Sequence, residues 1–174
     1  MRRLIVGAIA LGVGVVGVVV SGQQKTGKLS ALDYAEIQQL YIRYNYGIDT
    51  HAENGMAWAK TFTADGAFVM GANTIQGHQK LGEFASPKGA AASGAGAPHH
   101  YATNIMIEPS AEGATGSAYF FNVPTPEPNK PAAITATGTY QDVIVRTADG
   151  WRFKKRTFYA NALPPSMIGA SGAH

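Results

Sequence analysis

The sequence predicts an α+β fold, a curved and mostly antiparallel sheet packed with N-terminal helices around a central pocket. Three observations predict it. Apolar residues recur at helical spacing early in the chain, strand-like segments follow one another later, and the last two of these are joined by "ADG", a tight hairpin signal. Helices first and strands afterwards sort into separate layers. A strongly curved sheet closed by helices makes a cone, and a small-molecule site belongs in such a hollow.

The chain opens on a targeting segment. Arg2 and Arg3 precede an unbroken apolar run, Leu4 to Val20, and "SGQQ" then turns polar. Residues 1–22 read as a secretory signal peptide cleaved before Gln23, which makes the protein periplasmic or secreted. The alternative is an uncleaved anchor, because about 17 apolar residues can just span a bilayer; membrane attachment is expected only in that case. Of 174 residues none is cysteine, so no disulfide framework is available and stability rests on a core drawn from 45% apolar residues. Removing Arg2 and Arg3 from 14 basic residues leaves 12 against 11 acidic ones. With no basic stripe, nucleic acid is not an expected partner.

Ser30 and Asp33 form a capping-box start. Leu32, Ile37, Leu40, Tyr41, Tyr44 and Ile48 then recur at helical spacing, so 31–49 reads as one amphipathic helix. "NGMAWAKTF" fits a shorter helix with Met56, Ala59 and Phe62 on one face. "TADG" reads as a turn, "AFVM" as a short strand and "GHQKLGEFA" as a third helix. Residues 86–98, mostly Gly, Ala and Ser, read as a loop that is either a lid or a tolerated insertion. Strands follow in "HHYATNIMIE", "GSAYFFNV", "AITATGTYQDVIVRT" and "WRFKKRTFYA", with "PTPEPNKP" as a surface excursion. Residues 30–160 form the domain, and 161–174 a flexible tail.

The chemistry starts from two adjacent histidines. Alternation along "HHYATNIMIE" puts His100, Ala102, Asn104 and Met106 on one face and His99, Tyr101, Thr103 and Ile105 on the other. An imidazole and an amide among apolar residues is the mixture a small-molecule pocket uses. Asp49 ends the first helix, where its charge meets the negative end of the helix dipole. That is either a sign of another use or an ordinary aspartate in the turn "DTHAENG". Asn45 and Tyr41 share its face; Tyr44 is offset. His51 and His78 read as solvent-facing, Trp58 as core or pocket wall, and Asp142 with Arg156 as a structural ion pair. His99 and His100 diverge and no H-x-x-x-H occurs, so no metal site is expected.

"YIRYNYGIDTHAENGMAWAKTFTADGAFVMGANTIQGHQKLGEF", "HHYATNIMIE" and "GTYQDVIVRTADGWRFKKRTF" together resemble a SnoaL-like domain of the NTF2-like superfamily, over roughly residues 30–160. The resemblance implies a conical fold and a small-molecule pocket. In the scytalone and bile-acid dehydratases of that superfamily an aspartate ending the first helix bonds a histidine that starts a strand. Asp49 and His100 match these two, and Tyr44 resembles a tyrosine of the bile-acid enzymes. Ile48 stands where scytalone dehydratase has a tyrosine, and its second pocket tyrosine falls near Phe68 to Met70.

The resemblance implies a cofactor-free enzyme in which His100 is the general acid/base, Asp49 orients it and Tyr44 assists. The pocket is expected to draw on Asn104, Trp58, Phe68, Met70, Met106 and Gln141, and to take a small hydrophobic, cyclic molecule for dehydration or isomerisation. The alternative is a non-catalytic binding or accessory protein with the same pocket. A homodimer through the outer sheet face is compatible with the fold.

Overall fold

Ser30 starts the first helix as its sequence requires. Its hydroxyl accepts from the Asp33 N–H at 3.2 Å while the Asp33 carboxylate accepts from the Ser30 N–H at 2.9 Å, so two orphan donors are satisfied at once. The Ser30 hydroxyl, which also donates to the Asp33 carboxylate at 2.7 Å, and with it the Ser30 N–H, hold the Asp33 carboxyl below its ordinary range. Helix α1 runs Ala31–Thr50 and buries Ile37, Leu40, Tyr41, Tyr44 and Ile48; Leu32, expected on that stripe, is exposed. It stops at His51, which takes a left-handed conformation and ties its Nδ1 to the Ala85 carbonyl at 2.8 Å.

The computed structural model describes residues 28–89, 98–125 and 128–161. The segment read as signal or anchor, most of the Gly/Ala-rich loop and the tail from residue 162 lie outside them. Among the described residues no helix is long and apolar enough to cross a membrane. After a 3-10 turn at Ala52–Gly55 come the single-turn helix α2 (Met56–Ala59), strands β1 (Phe62–Met70) and β2 (Asn73–Gln76), and helix α3 (His78–Ala85). Strands β3 (Pro98–Ser110), β4 (Gly113–Pro124), β5 (Ala136–Thr147) and β6 (Gly150–Ala160) complete the order. The six strands form one curved sheet, β2-β1-β6-β5-β4-β3, antiparallel throughout except for β1 alongside β6. The α+β class and helix-packed, mostly antiparallel sheet are those the sequence predicts.

Three local readings change. The helix read in "NGMAWAKTF" shortens to the single turn of α2, and Phe62 is the first residue of β1. "TADG" is not a turn between elements but an irregular stretch within β1, where the register to β6 shifts between Phe62 and Ala67. In β3, Asn104 and Ile105 together oppose Ala118, because Thr103 pairs Tyr119 and Met106 pairs Ser117. This is a β-bulge, with Asn104 in the left-handed region at φ 52°. One extra residue reverses the phase of everything after it. His100 and Ala102 face inward as alternation predicts, but Ile105 and Ile107 take over the core face, and Met106 is turned out at 53% exposure.

The interior between helices and sheet is aromatic. Trp58 has no exposure and packs its ring on Tyr44, Phe62, Phe68 and Phe84 at 5.1–5.6 Å. Gly47 lets α1 approach this closely, since a Cβ there would lie 2.9 Å from the Trp58 backbone. Within the aromatic shell sits Arg156, fully buried. Its Nε and Nη2 donate to the two oxygens of Asp142 at 2.8 and 2.7 Å, and the Tyr41 hydroxyl donates to the same carboxylate. The rings of Tyr41, Tyr44, Tyr140 and Phe153 surround the guanidinium at 3.9–4.7 Å. Burial works against its charge, but the Asp142 carboxylate outweighs it and holds Arg156 above its usual pKa.

Removing one charge from such a pair strands the other in the interior. Asp142→Asn is therefore expected to lower the unfolding free energy by about 3–5 kcal/mol. In urea denaturation the double change Asp142→Leu with Arg156→Met should be distinctly less damaging than the single one.

Candidate functional site

The last turn of α1 lies against the first residues of β3, an edge strand of the sheet. Here the Asp49 carboxylate receives three hydrogen bonds from a single residue. The His100 backbone N–H donates to its oxygens at 3.2 and 3.1 Å, and the His100 ring bonds through Nδ1 to Oδ1. Because among the described residues β3 has no further strand on this side, the His100 N–H points away from β4 and would otherwise be an unpaired edge donor. The carboxylate satisfies it and fixes the ring together. This answers the unfavourable place of Asp49 at the negative end of a helix: strand and imidazole supply the donors that the helix end lacks.

Both side chains retain a little exposure, 13% for His100 and 16% for Asp49. The inner face of the imidazole rests on Phe120, with ring centres 5.5 Å apart, so it cannot swing freely. With Nδ1 directed at a carboxylate, Nδ1 carries the proton of the neutral ring and Nε2 is the basic nitrogen. The pair borders a hollow of about 450 Å³ between α1 and the edge of β3. Ile42 and Tyr46 supply its helix wall, Tyr101 and Ala102 its strand wall, and His99 and Thr50 part of its rim. Among the described residues neither lysine nor arginine lines it. The Thr50 hydroxyl is committed to the Tyr46 carbonyl at 2.6 Å. Among the described residues no three His, Cys, Asp or Glu side chains gather as a metal site.

The other residues singled out in the sequence fall elsewhere. Tyr44 is buried against Arg156, Tyr140 and Trp58, one helical face away from Asp49. Burial raises the pKa of its hydroxyl and keeps it protonated. Trp58 and Phe68 are interior packing, at 0% and 4% exposure. Met70, half-buried, borders a separate hollow with Phe158 at the far side of the sheet. Asn104 is exposed in the bulge and Met106 faces outward. Gln141 also sits on the outer face, opposite Ser117 and Thr157, because its neighbours Tyr140 and Asp142 take the inner one. His51 and His78 are half-buried rather than solvent-facing, each bonded to a backbone carbonyl, His78 to Phe62 at 3.0 Å. The residues that sequence reasoning missed, Ile42, Tyr46 and Thr50, lie on the side of α1 away from its buried stripe. The exposed apolar Ile42 and Tyr46 were the one signal available.

The profile of the SnoaL-like domain matches residues 29–157, nearly the whole described region. The chain belongs to the SnoaL-like family. Solved structures agree in fold with this SnoaL-like domain. A protein of unknown function from Mycobacterium tuberculosis is 27% identical, with a TM-score of 0.64 and 79% of each chain covered. An NTF2-like protein with a cystatin-like fold from Novosphingobium aromaticivorans has 17% identity and a TM-score of 0.64, covering 78% of this chain and 86% of that one. A candidate scytalone dehydratase from the same species has 19% identity and a TM-score of 0.60, covering 75% and 85%. No curated protein matches the chain in sequence.

The hydrogen bonds to Asp49 make a spectroscopic prediction. In 15N NMR at a pH where the ring is neutral, His100 should show a protonated Nδ1 and a bare Nε2. In Asp49→Ala it should revert to the mixture of tautomers of free imidazole.

Proposed function

We propose that this SnoaL-like protein is a small-molecule enzyme that moves protons with His100. The observation that carries the reading is the double hold of Asp49 on His100, through the backbone N–H and through Nδ1, which leaves Nε2 as a fixed base beside the hollow. The base takes a proton next to a carbonyl of a hydrophobic ring compound. The resulting imidazolium, stabilised by the Asp49 carboxylate, returns the proton to a leaving hydroxyl (dehydration) or to another carbon (isomerisation). One imidazole can serve both steps. Tyr44 is enclosed behind the aromatic shell, so the return of the proton is assigned to His100 and not to the tyrosine. The N-terminal segment directs the protein for export. Likeness in fold to a candidate scytalone dehydratase supports a small ring compound as the substrate and no more, since one fold carries many activities.

A second reading, a binding protein without turnover, is favoured by one observation. The only hydroxyl that the resemblance assigned to the chemistry, Tyr44, stands away from the hollow. Both readings are tested by a panel of cyclic hydroxyketones and unsaturated ketones, followed by the ultraviolet absorbance of the conjugated product. His100→Ala and Asp49→Asn should each lower kcat by about 10²–10⁴-fold with KM changed far less. Binding of the panel by wild type with no turnover would remove the proton-transfer reading and leave the binding one, whereas turnover indifferent to His100→Ala would remove both the assignment of the base to His100 and the binding reading.

A further inference from the structure

The end of α1 carries Asp49 but has little of its own to hold it in place. The last turn of a helix leaves its carbonyls unpaired, and a negative side chain there is unfavourable. No basic residue stands in that turn. The Thr50 hydroxyl bonds back to its own helix, at the Tyr46 carbonyl, and so anchors nothing to the rest of the domain. Ile48, just before Asp49, is buried and fixes the inward face of the turn. The next side chain after Asp49 with a partner on another element is His51.

His51 is an uncommon choice for its place. Its φ of 52° and ψ of 26° are left-handed, a conformation that strains a residue with a Cβ and is normally left to glycine. Glu53 and Asn54 share it, at φ 53° and 56°, before Gly55 at last supplies a glycine. Such a run persists where the surrounding contacts over-determine it. Two of these contacts reach α3. Gly55 is pressed so closely on the end of that helix that a Cβ there would fall 2.8 Å from the Ala85 carbonyl carbon. The His51 Nδ1 lies 2.8 Å from the oxygen of the same carbonyl. A carbonyl only accepts, so Nδ1 is the donor. One imidazole thus closes α1 and satisfies a carbonyl that has no partner within α3. Glycine would suit the backbone better and could not make this bond.

We infer that His51 is a positioning residue for Asp49 and His100. By donating to the Ala85 carbonyl it pins the end of α1 to α3, and so keeps the Asp49 carboxylate on the His100 N–H and ring. Asp49 stands between two fixed points, Ile48 buried before it and His51 tied after it. His51 does not line the hollow and takes no part in proton transfer. The inference rests on the site proposed above, but not on any turnover there.

The test separates the donor from the backbone. Asparagine and glycine both accept a left-handed conformation, and the asparagine Nδ2 is as many bonds from Cα as the histidine Nδ1. His51→Asn and His51→Gly therefore differ chiefly in the donor. In the full chain, 15N NMR should show the neutral His51 ring of wild type protonated at Nδ1. In His51→Gly the His100 backbone N–H should exchange with solvent roughly three- to tenfold faster, the effect of one neutral hydrogen bond. Its ring should also admit the second tautomer. The Tyr140 amide, in the middle of β5, should accelerate by a clearly smaller factor. His51→Asn should restore both His100 groups to wild-type behaviour. The inference is overturned if the His51 ring carries its proton on Nε2, or if His51→Gly leaves the His100 amide and tautomer unchanged. Equal acceleration of the Tyr140 amide, or a His51→Asn variant that behaves as His51→Gly does, would overturn it as well. Absence of turnover on the ketone panel would count against the proton-transfer reading only, since none of these measurements needs a substrate.

Discussion

A guanidinium with no solvent contact is the constraint around which this domain is arranged. Arg156 on β6 could not remain charged in an apolar interior without Asp142 directly across on β5, and the two make a bidentate pair enclosed by four aromatic rings. Two of those rings, Tyr41 and Tyr44, belong to α1. Tyr41 also donates to the carboxylate, and the backbone of Gly116 leaves the room: a Cβ there would fall 2.3 Å from the Tyr41 oxygen. Burial, reinforced by the Asp142 charge, pushes the Tyr41 hydroxyl well above its ordinary pKa, so it stays a donor. The ion pair is thus what registers the helix on the sheet, in rotation and in height.

Once α1 is fixed at Tyr41, the position of Asp49 follows two turns further on, beside the unpaired edge of β3. Most edge strands have to be protected from pairing with another chain. This one is occupied at His100 by a carboxylate, which ties down strand, ring and helix end together. The candidate side chains, Asp49 and His100, therefore stand on a helix and a strand held together by these bonds, beside the hollow. Packing provides the rigidity and the sheet edge the access.

The sequence by itself determined the parts that depend on neighbours along the chain. Ser30 and Asp33 set the start of α1 because a capping box closes within one turn. The "ADG" hairpin joined β5 to β6, and the succession of helices and strands set the fold class. Even Asp49 and His100 stood out, one from its awkward place on a helix and the other from alternation, with the family resemblance joining them. What tertiary structure alone decided came from long-range pairing. Asn104 inserted one residue into β3, and that sufficed to turn Met106 outward and Ile105 inward, since a period of two has no tolerance for an extra residue. "TADG" was taken into a strand because β1 found β6, some ninety residues away, as its parallel neighbour. Phe68 and Trp58 became packing because α3 covers them, and Tyr44 because Arg156 lies beneath it. Local hydrogen bonds and periodicities are written in consecutive residues; which face a residue finally shows depends on a partner strand or helix that the sequence places far away.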